Sequence, residues 1–159
     1  MKKIAFVLVA LLMSVAANAQ FEKGKGYLGA SLSGIDLSSQ AKQFHFGLDA
    51  KAGYLFQDNW MVLAQMGYDW HQKADNVFLA GAGLRYHIEQ NGLYVGLGAN
   101  YVHKWHDYDD LMPNINVGYT FFLNRTVTIE PEVYYNQSLK NHSDYSGFGL
   151  RIGFGIYFE

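Results

Sequence analysis

From Gly26 to the C-terminus the sequence alternates between apolar residues and small or polar ones, in eight successive runs. Alternate residues of an extended chain point to opposite faces, so period two on this scale calls for strands. The runs lie at Gly26–Ile35, Gln43–Phe56, Trp60–Trp70, Asn76–His87, Gly92–His103, Leu111–Leu123, Arg125–Asn136 and Tyr145–Phe158. In the second, Phe44, Phe46, Leu48, Ala50, Ala52, Tyr54 and Phe56 share one face. His45, Gly47, Asp49, Lys51 and Gly53 share the other. In the last, Phe148, Leu150, Ile152, Phe154, Ile156 and Phe158 oppose Gly147, Gly149, Arg151, Gly153, Gly155 and Tyr157. Pro131 removes a ladder donor, so a bulge or weakened pairing is expected beside it.

The connections alternate too. Gln57-Asp58-Asn59, Glu89-Gln90-Asn91 and Asn124 are short, and Asn91-Gly92 is a tight-turn signal. The others are longer and polar, such as HKWHDYDD and NQSLKNHSDY. Eight antiparallel strands with short turns at one end and long loops at the other match the transmembrane β-barrel layout.

A soluble lipocalin-like barrel would show the same period with its apolar face turned inward. The polar face decides between them. A face exposed to water should be dense in Lys, Glu, Asp and Thr, whereas this one is mostly glycine and tyrosine, which suits a narrow interior. Asp49, Lys51, Asp69, Arg85, Glu130, Glu132 and Arg151 all fall on that face. Turning Lys51, Arg85 and Arg151 toward lipid at mid-depth would cost about 2–4 kcal/mol each. They are expected to point inward, stacked near one level with Gln65, Asn100 and Asn116. Glu130 and Glu132 on the preceding strand are the expected partners of Arg151, and Arg85 is expected to lie slightly lower and reach up. The six residues Asp49, Lys51, Arg85, Glu130, Glu132 and Arg151 form the candidate interior charge network. A large residue in place of Gly153 is expected to overpack that interior.

The N-terminus has the grammar of an export signal. Lys2 and Lys3 precede an apolar run from Ile4 to Met13 and the small-residue site Ala17-Asn18-Ala19. Residues 1–19 are read as a cleaved signal peptide and 20–159 as one barrel domain. No cysteine is present, which excludes disulfides, thiolate metal sites and a lipoprotein anchor. A formal net charge of −2 gives no basic surface for nucleic acid.

Aromatic residues mark two levels. Phe56, Trp60, Phe121, Phe122 and Phe158 cluster near the short turns, and Tyr68, Trp70, Phe78, Tyr101, Trp105 and Tyr135 near the loops. Such belts mark the two interfaces of a membrane. With these features the chain resembles the small eight-stranded outer-membrane barrels, the group of the OmpA transmembrane domain and OmpX. The resemblance covers about Gly24 to Phe158 and implies an all-β, eight-stranded antiparallel transmembrane barrel with both termini periplasmic. It implies outer-membrane lipids and lipopolysaccharide as surroundings, the barrel-assembly machinery during insertion, and a monomer. Families of this kind end on an aromatic residue read by that machinery. Here Phe158 is followed by Glu159.

No stretch carries a catalytic signature. His103 to Asp110 holds histidines and carboxylates that could bind a divalent metal, but a solvated polar loop accounts for them. His142-Ser143-Asp144 names the residue types of a triad in a spacing that does not assemble one. His45 and His87 read as hydrogen-bonded interior fillers. No cofactor, metal ligand or catalytic residue is expected. The expected role is non-enzymatic, in envelope structure or surface interaction, with a polar-plugged interior. A narrow channel for small molecules is the alternative.

Overall fold

The computed structural model describes residues 21–36, 46–70, 77–89, 91–104, 108–140 and 146–159. Its extended segments are β1 Gly26–Asp36, β2 Phe46–Gln57, β3 Trp60–Trp70, β4 Val77–His87, β5 Leu93–Lys104, β6 Tyr108–Tyr119, β7 Phe121–Phe122, β8 Val127–Asn136 and β9 Gly147–Phe158. Each strand from β1 to β5 pairs antiparallel with the next, and β6 and β7 both pair with β8. β8 pairs with β9, and β9 closes on β1. The result is a closed antiparallel barrel of eight staves, in which β7 continues β6 beyond Thr120. Closure leaves no edge strand, so backbone polar groups are satisfied within the sheet, as a bilayer demands.

Register fixes the tilt. Asp36 pairs with Gly149, and the ladder then runs through Tyr134, Asn116, Gly96, Arg85, Met61 and Leu55. The Leu55 N–H donates to Lys25 O, so one circuit drops from residue 36 to residue 25. One residue of that difference belongs to the bulge between Ser33 and Ile35. A stagger of about ten residues is roughly 33 Å against eight inter-strand spacings that total roughly 38 Å perpendicular to the strands, a tilt of about 40°.

The alternation read from the sequence is the alternation of the barrel. Leu48, Leu97 and Ile152 are 54%, 61% and 55% exposed on the outer face, the surface that faces lipid in a membrane barrel. Asp49, Glu132 and Arg151 are 7%, 3% and 9% exposed on the inner one. Around the outer surface, Trp60 packs on Tyr86, Tyr119 on Phe121 and Tyr135 on Phe148, with ring centroids 4.9, 4.3 and 4.7 Å apart.

Three local expectations are revised. The strand expected at Arg125–Asn136 begins at Val127, because Asn124 Oδ1 accepts the Thr126 and Val127 N–H groups (2.8 Å each) and closes a turn. The strand expected at Leu111–Leu123 begins earlier, at Tyr108, and breaks at Thr120. Pro131 lies opposite that break: β8 pairing lapses between Gly118↔Glu132 and Phe121↔Ile129, then resumes in the same register. The missing proline N–H thus weakens the ladder without inserting a residue. Phe122, assigned from sequence to the outer belt, packs inside the barrel against Phe21 and Tyr157. Gln43–His45, Asn76, Tyr145 and Trp105 lie outside the described residues, as do the side chains of Asp69 and Trp70.

Candidate functional site

Six charged side chains meet at mid-height inside the barrel. β2 contributes Asp49 and Lys51, β4 Arg85, β8 Glu130 and Glu132, and β9 Arg151. Each occupies an inward position of its strand, so the alternation alone aims all six at the barrel axis. Three cations face three carboxylates, and the layer carries no net formal charge.

The pairing is more distributed than expected. Arg85 Nη1 lies 2.8 Å from Glu130 Oε2, and Arg85 Nη2 lies 3.6 Å from Glu132 Oε2. Lys51 Nζ donates to Glu132 Oε2 at 3.2 Å. Arg151 bridges Glu132 Oε1 and Asp49 Oδ2, both at 3.6 Å. Glu132 is therefore the hub, touched by all three cations. Arg151 was expected to pair with both Glu130 and Glu132, but the cation beside Glu130 is Arg85. Arg85 rises from a lower level on the opposite wall, and cross-lumen distance is invisible to a count along one strand pair.

Neutral donors complete the layer. Glu130 accepts hydrogen bonds from Tyr27 Oη (3.0 Å), Thr128 Oγ1 (3.0 Å) and Tyr157 Oη (3.5 Å). Glu132 accepts one from Tyr94 Oη at 3.0 Å, and Asp49 one from Ser31 Oγ at 3.4 Å. The Arg85 guanidinium lies 3.9 Å from the Tyr94 ring centroid, and Arg151 4.4 Å from that of Tyr134, within cation–π range. Gln65 donates to Asn100. Asn116 was expected to satisfy leftover polar groups, yet its Oδ1 makes no hydrogen bond among the described residues. Between Lys51, Glu130, Glu132, Arg151 and Gly153 lies a cavity of about 10 Å³, room for about one water.

Tyrosine and glycine interlock around this layer. A Cβ on Gly118 would run into the Tyr94 phenol and meet Pro131 O at 2.8 Å; on Gly155 it would meet the Tyr27 ring at 2.5 Å. The glycines are the sockets into which the interior tyrosines fold. Gly153 differs, since a Cβ there would meet Ser31, Glu130 and Ala30 atoms at 3.5–3.7 Å, which is ordinary contact. The overpacking expected at Gly153 therefore does not apply to a methyl group.

A second feature, at the short-turn end, was not anticipated. Phe21, ahead of the first strand, is 4% exposed, with its ring stacked 3.7 Å from that of His87. It also meets Phe122 at 5.8 Å and Tyr157 edge-on at 5.6 Å. Leu55 and Met61, both fully buried, belong to the same apolar cluster, with Tyr27 beside them. His87 is an interior filler whose Nε2 lies 3.4 Å from Tyr157 Oη. The only hint in the sequence is an apolar residue placed before the alternation begins.

The stretch His103 to Asp110, expected to be a solvated polar loop, is largely strand: β5 runs on to Lys104 and β6 starts at Tyr108, because cross-strand pairing continues past the expected ends. His103 and Asp109 face each other across β5 and β6, with Nδ1 and Oδ1 2.5 Å apart on the exposed outer surface. Among the described residues no three His, Cys, Asp or Glu side chains are grouped to hold a metal. His45, His106 and His142-Ser143-Asp144 lie outside the described residues.

This architecture agrees with what comparison finds. The family described as "Outer membrane protein beta-barrel domain" matches residues 5–159. The chain belongs to that family. Comparison with curated proteins finds no match. Among solved structures, the N-terminal β-barrel domain of Pseudomonas aeruginosa OprF is similar, with a TM-score of 0.67 at 15% identity, covering 86% of this chain and 98% of that one. Neisserial surface protein A gives 0.62 at 16% identity over 86% and 98%. The Yersinia pestis outer membrane protein Ail gives 0.60 at 12% identity over 86% and 100%. These likenesses establish the fold. Membership of the family places this barrel among bacterial outer-membrane proteins.

Proposed function

We propose that the protein is a non-enzymatic outer-membrane barrel with a closed interior, acting in envelope structure or surface contact. The charge layer carries this reading. Six buried, mutually paired charges fill a lumen that eight strands leave only wide enough for side chains. One structural neighbour is called the attachment invasion locus protein and another a surface protein, names in keeping with this class of role. In this reading lipids and lipopolysaccharide surround a monomer that the barrel-assembly machinery inserts. The test is conductance of the purified protein in a planar bilayer. A silent bilayer is expected; steady, large currents would mean that the charges line a channel, and transport would replace this reading.

The same proposal sets an orientation. Residues 1–19 are removed on export, both termini lie in the periplasm, and the loops around Ser38–Lys42 and His71–Asp75, the connection between β5 and β6 and the loop around Ser138–Asp144 lie outside the cell. An even number of strands returns the chain to its starting side, and bacterial barrels keep short turns periplasmic. Protease added to intact cells is expected to cut within those loops and spare Asp58 and Asn91. The intact mass should begin at Gln20. Cleavage at the short turns with intact loops would invert the orientation.

A further inference from the structure

The charge layer and the Phe21 cluster lie at different heights of one lumen; Tyr27 and Tyr157 touch both, their rings in the cluster and their hydroxyls on Glu130, while the charges themselves and Phe21 are separate. Phe21 reaches its place through a segment that belongs to no strand. Asn59 N–H donates to Phe21 O (2.8 Å), Lys23 N–H to Asp58 Oδ1 (2.8 Å) and Gly24 N–H to Leu55 O (2.7 Å). Gly24 holds φ +97°, a conformation that side-chain-bearing residues adopt rarely. The segment is thus folded back under the barrel and tied to the β2–β3 turn. Its one large apolar side chain is inserted between the ends of β4, β7 and β9, against His87, Phe122 and Tyr157.

We infer that residues 21–25 form a strap that seals the short-turn mouth of the lumen independently of the charge layer, so that the barrel carries two seals in series. Four hydrogen bonds, those three and the one from Leu55 N–H to Lys25 O, and one aromatic plug hold the strap, whereas continuous strand pairing and six charges hold the wall. Segments with few anchoring contacts open at lower free energy than the core of a sheet. The strap can therefore leave while the barrel stays closed, and its departure hydrates only the space below Glu130. This inference rests on the closed-lumen reading, but its readout is separate from conductance.

The chain lacks cysteine, so a single introduced thiol reports on that space. Thr120 is fully buried on the inner wall, above Phe122 and below the level of Glu130. In Thr120→Cys, reconstituted in lipid nanodiscs with both ends open to reagent, a small charged thiol reagent is expected to react negligibly. Adding Phe21→Ala is expected to abolish that protection while planar-bilayer conductance stays silent. Gly24→Pro, which removes the N–H to Leu55 and cannot adopt φ +97°, is expected to do the same without touching the aromatic cluster. The heat-dependent electrophoretic shift of a folded barrel identifies which variants are folded, and whichever of the two folds decides the test. Reaction of Thr120→Cys alone would show that Phe21 does not seal the mouth. Continued protection in the folded strap variants would show that something else does. Conductance in a strap variant of a silent wild type would show that the charge layer is not a second seal. Any of the three overturns the inference.

Discussion

Replacing Arg85 with leucine is expected to lower the stability of the folded barrel by about 3–5 kcal/mol, the effect of stranding a buried charge. Glu130 is 3% exposed, and Arg85 is its ion-pair partner at 2.8 Å. Tyr27, Thr128 and Tyr157 continue to donate to it, but none carries charge. Glu132 suffers less, because Lys51 and Arg151 stay in place. Arg85 is also among the largest fully buried side chains of the described residues, so leucine leaves space beside the Tyr94 ring. Arg151→Leu is expected to be milder, since its contacts with Asp49 and Glu132 are both longer, at 3.6 Å, and Asp49 is more exposed than Glu130, at 7%. Urea unfolding in lipid vesicles, followed by electrophoretic mobility, measures both. Adding Glu130→Gln to Arg85→Leu should recover a large part of the loss, because the uncompensated charge is then gone. A larger effect for Arg151 than for Arg85, or no recovery in the double variant, would mean that the charges pair differently.

Alanine at Gly118 and at Gly153 should give opposite results although both glycines face the lumen. At Gly118 the added methyl collides with the Tyr94 phenol and with Pro131 O at 2.8 Å. The carbonyl belongs to the sheet and cannot yield cheaply. Tyr94 can move only by giving up its bond to Glu132 and its place against Arg85. Overpacking of this kind costs about 1–3 kcal/mol. At Gly153 the methyl meets nothing nearer than 3.5 Å and lines the small cavity beside Lys51, so the change should stay within about 0.5 kcal/mol. The same unfolding measurement separates the two. Equal effects would show that interior glycines are interchangeable spacers and not specific sockets for tyrosine.

Much of this architecture is legible along the chain because a barrel wall is a local object. Whether Lys51 or Leu48 faces the lumen depends only on the parity of its position in an extended run, and a charge facing lipid is too costly to tolerate. Strand number and turn length likewise follow from spacing. Pro131 announces a weak point in the ladder, and the lapse opposite it follows from the absent N–H. Failures cluster where a side chain's own turn makes the decision. Asn124 folds back on Thr126 and Val127 and shortens a strand that periodicity alone extends to Arg125.

Partners across the lumen are a different matter. Arg151 and Glu132 are register neighbours, and that pair is readable from adjacent strands. Arg85 and Glu130 sit on non-adjacent strands, and their 2.8 Å contact depends on stagger, tilt and barrel radius together. The fit of Tyr94 over Gly118 has the same origin, because it needs two neighbouring strands at one height and a third group, Pro131 O, to complete the socket. Phe21 is the extreme case. Nothing in its immediate sequence distinguishes a disordered lead-in from a plug, since its binding site is built from the ends of β2, β4, β7 and β9. Periodicity determines which way each residue of the wall faces, because that choice is made within a few residues and enforced by lipid. Only closure of the barrel decides which inward-facing groups meet, because contact across the axis is set by the geometry of all eight staves at once.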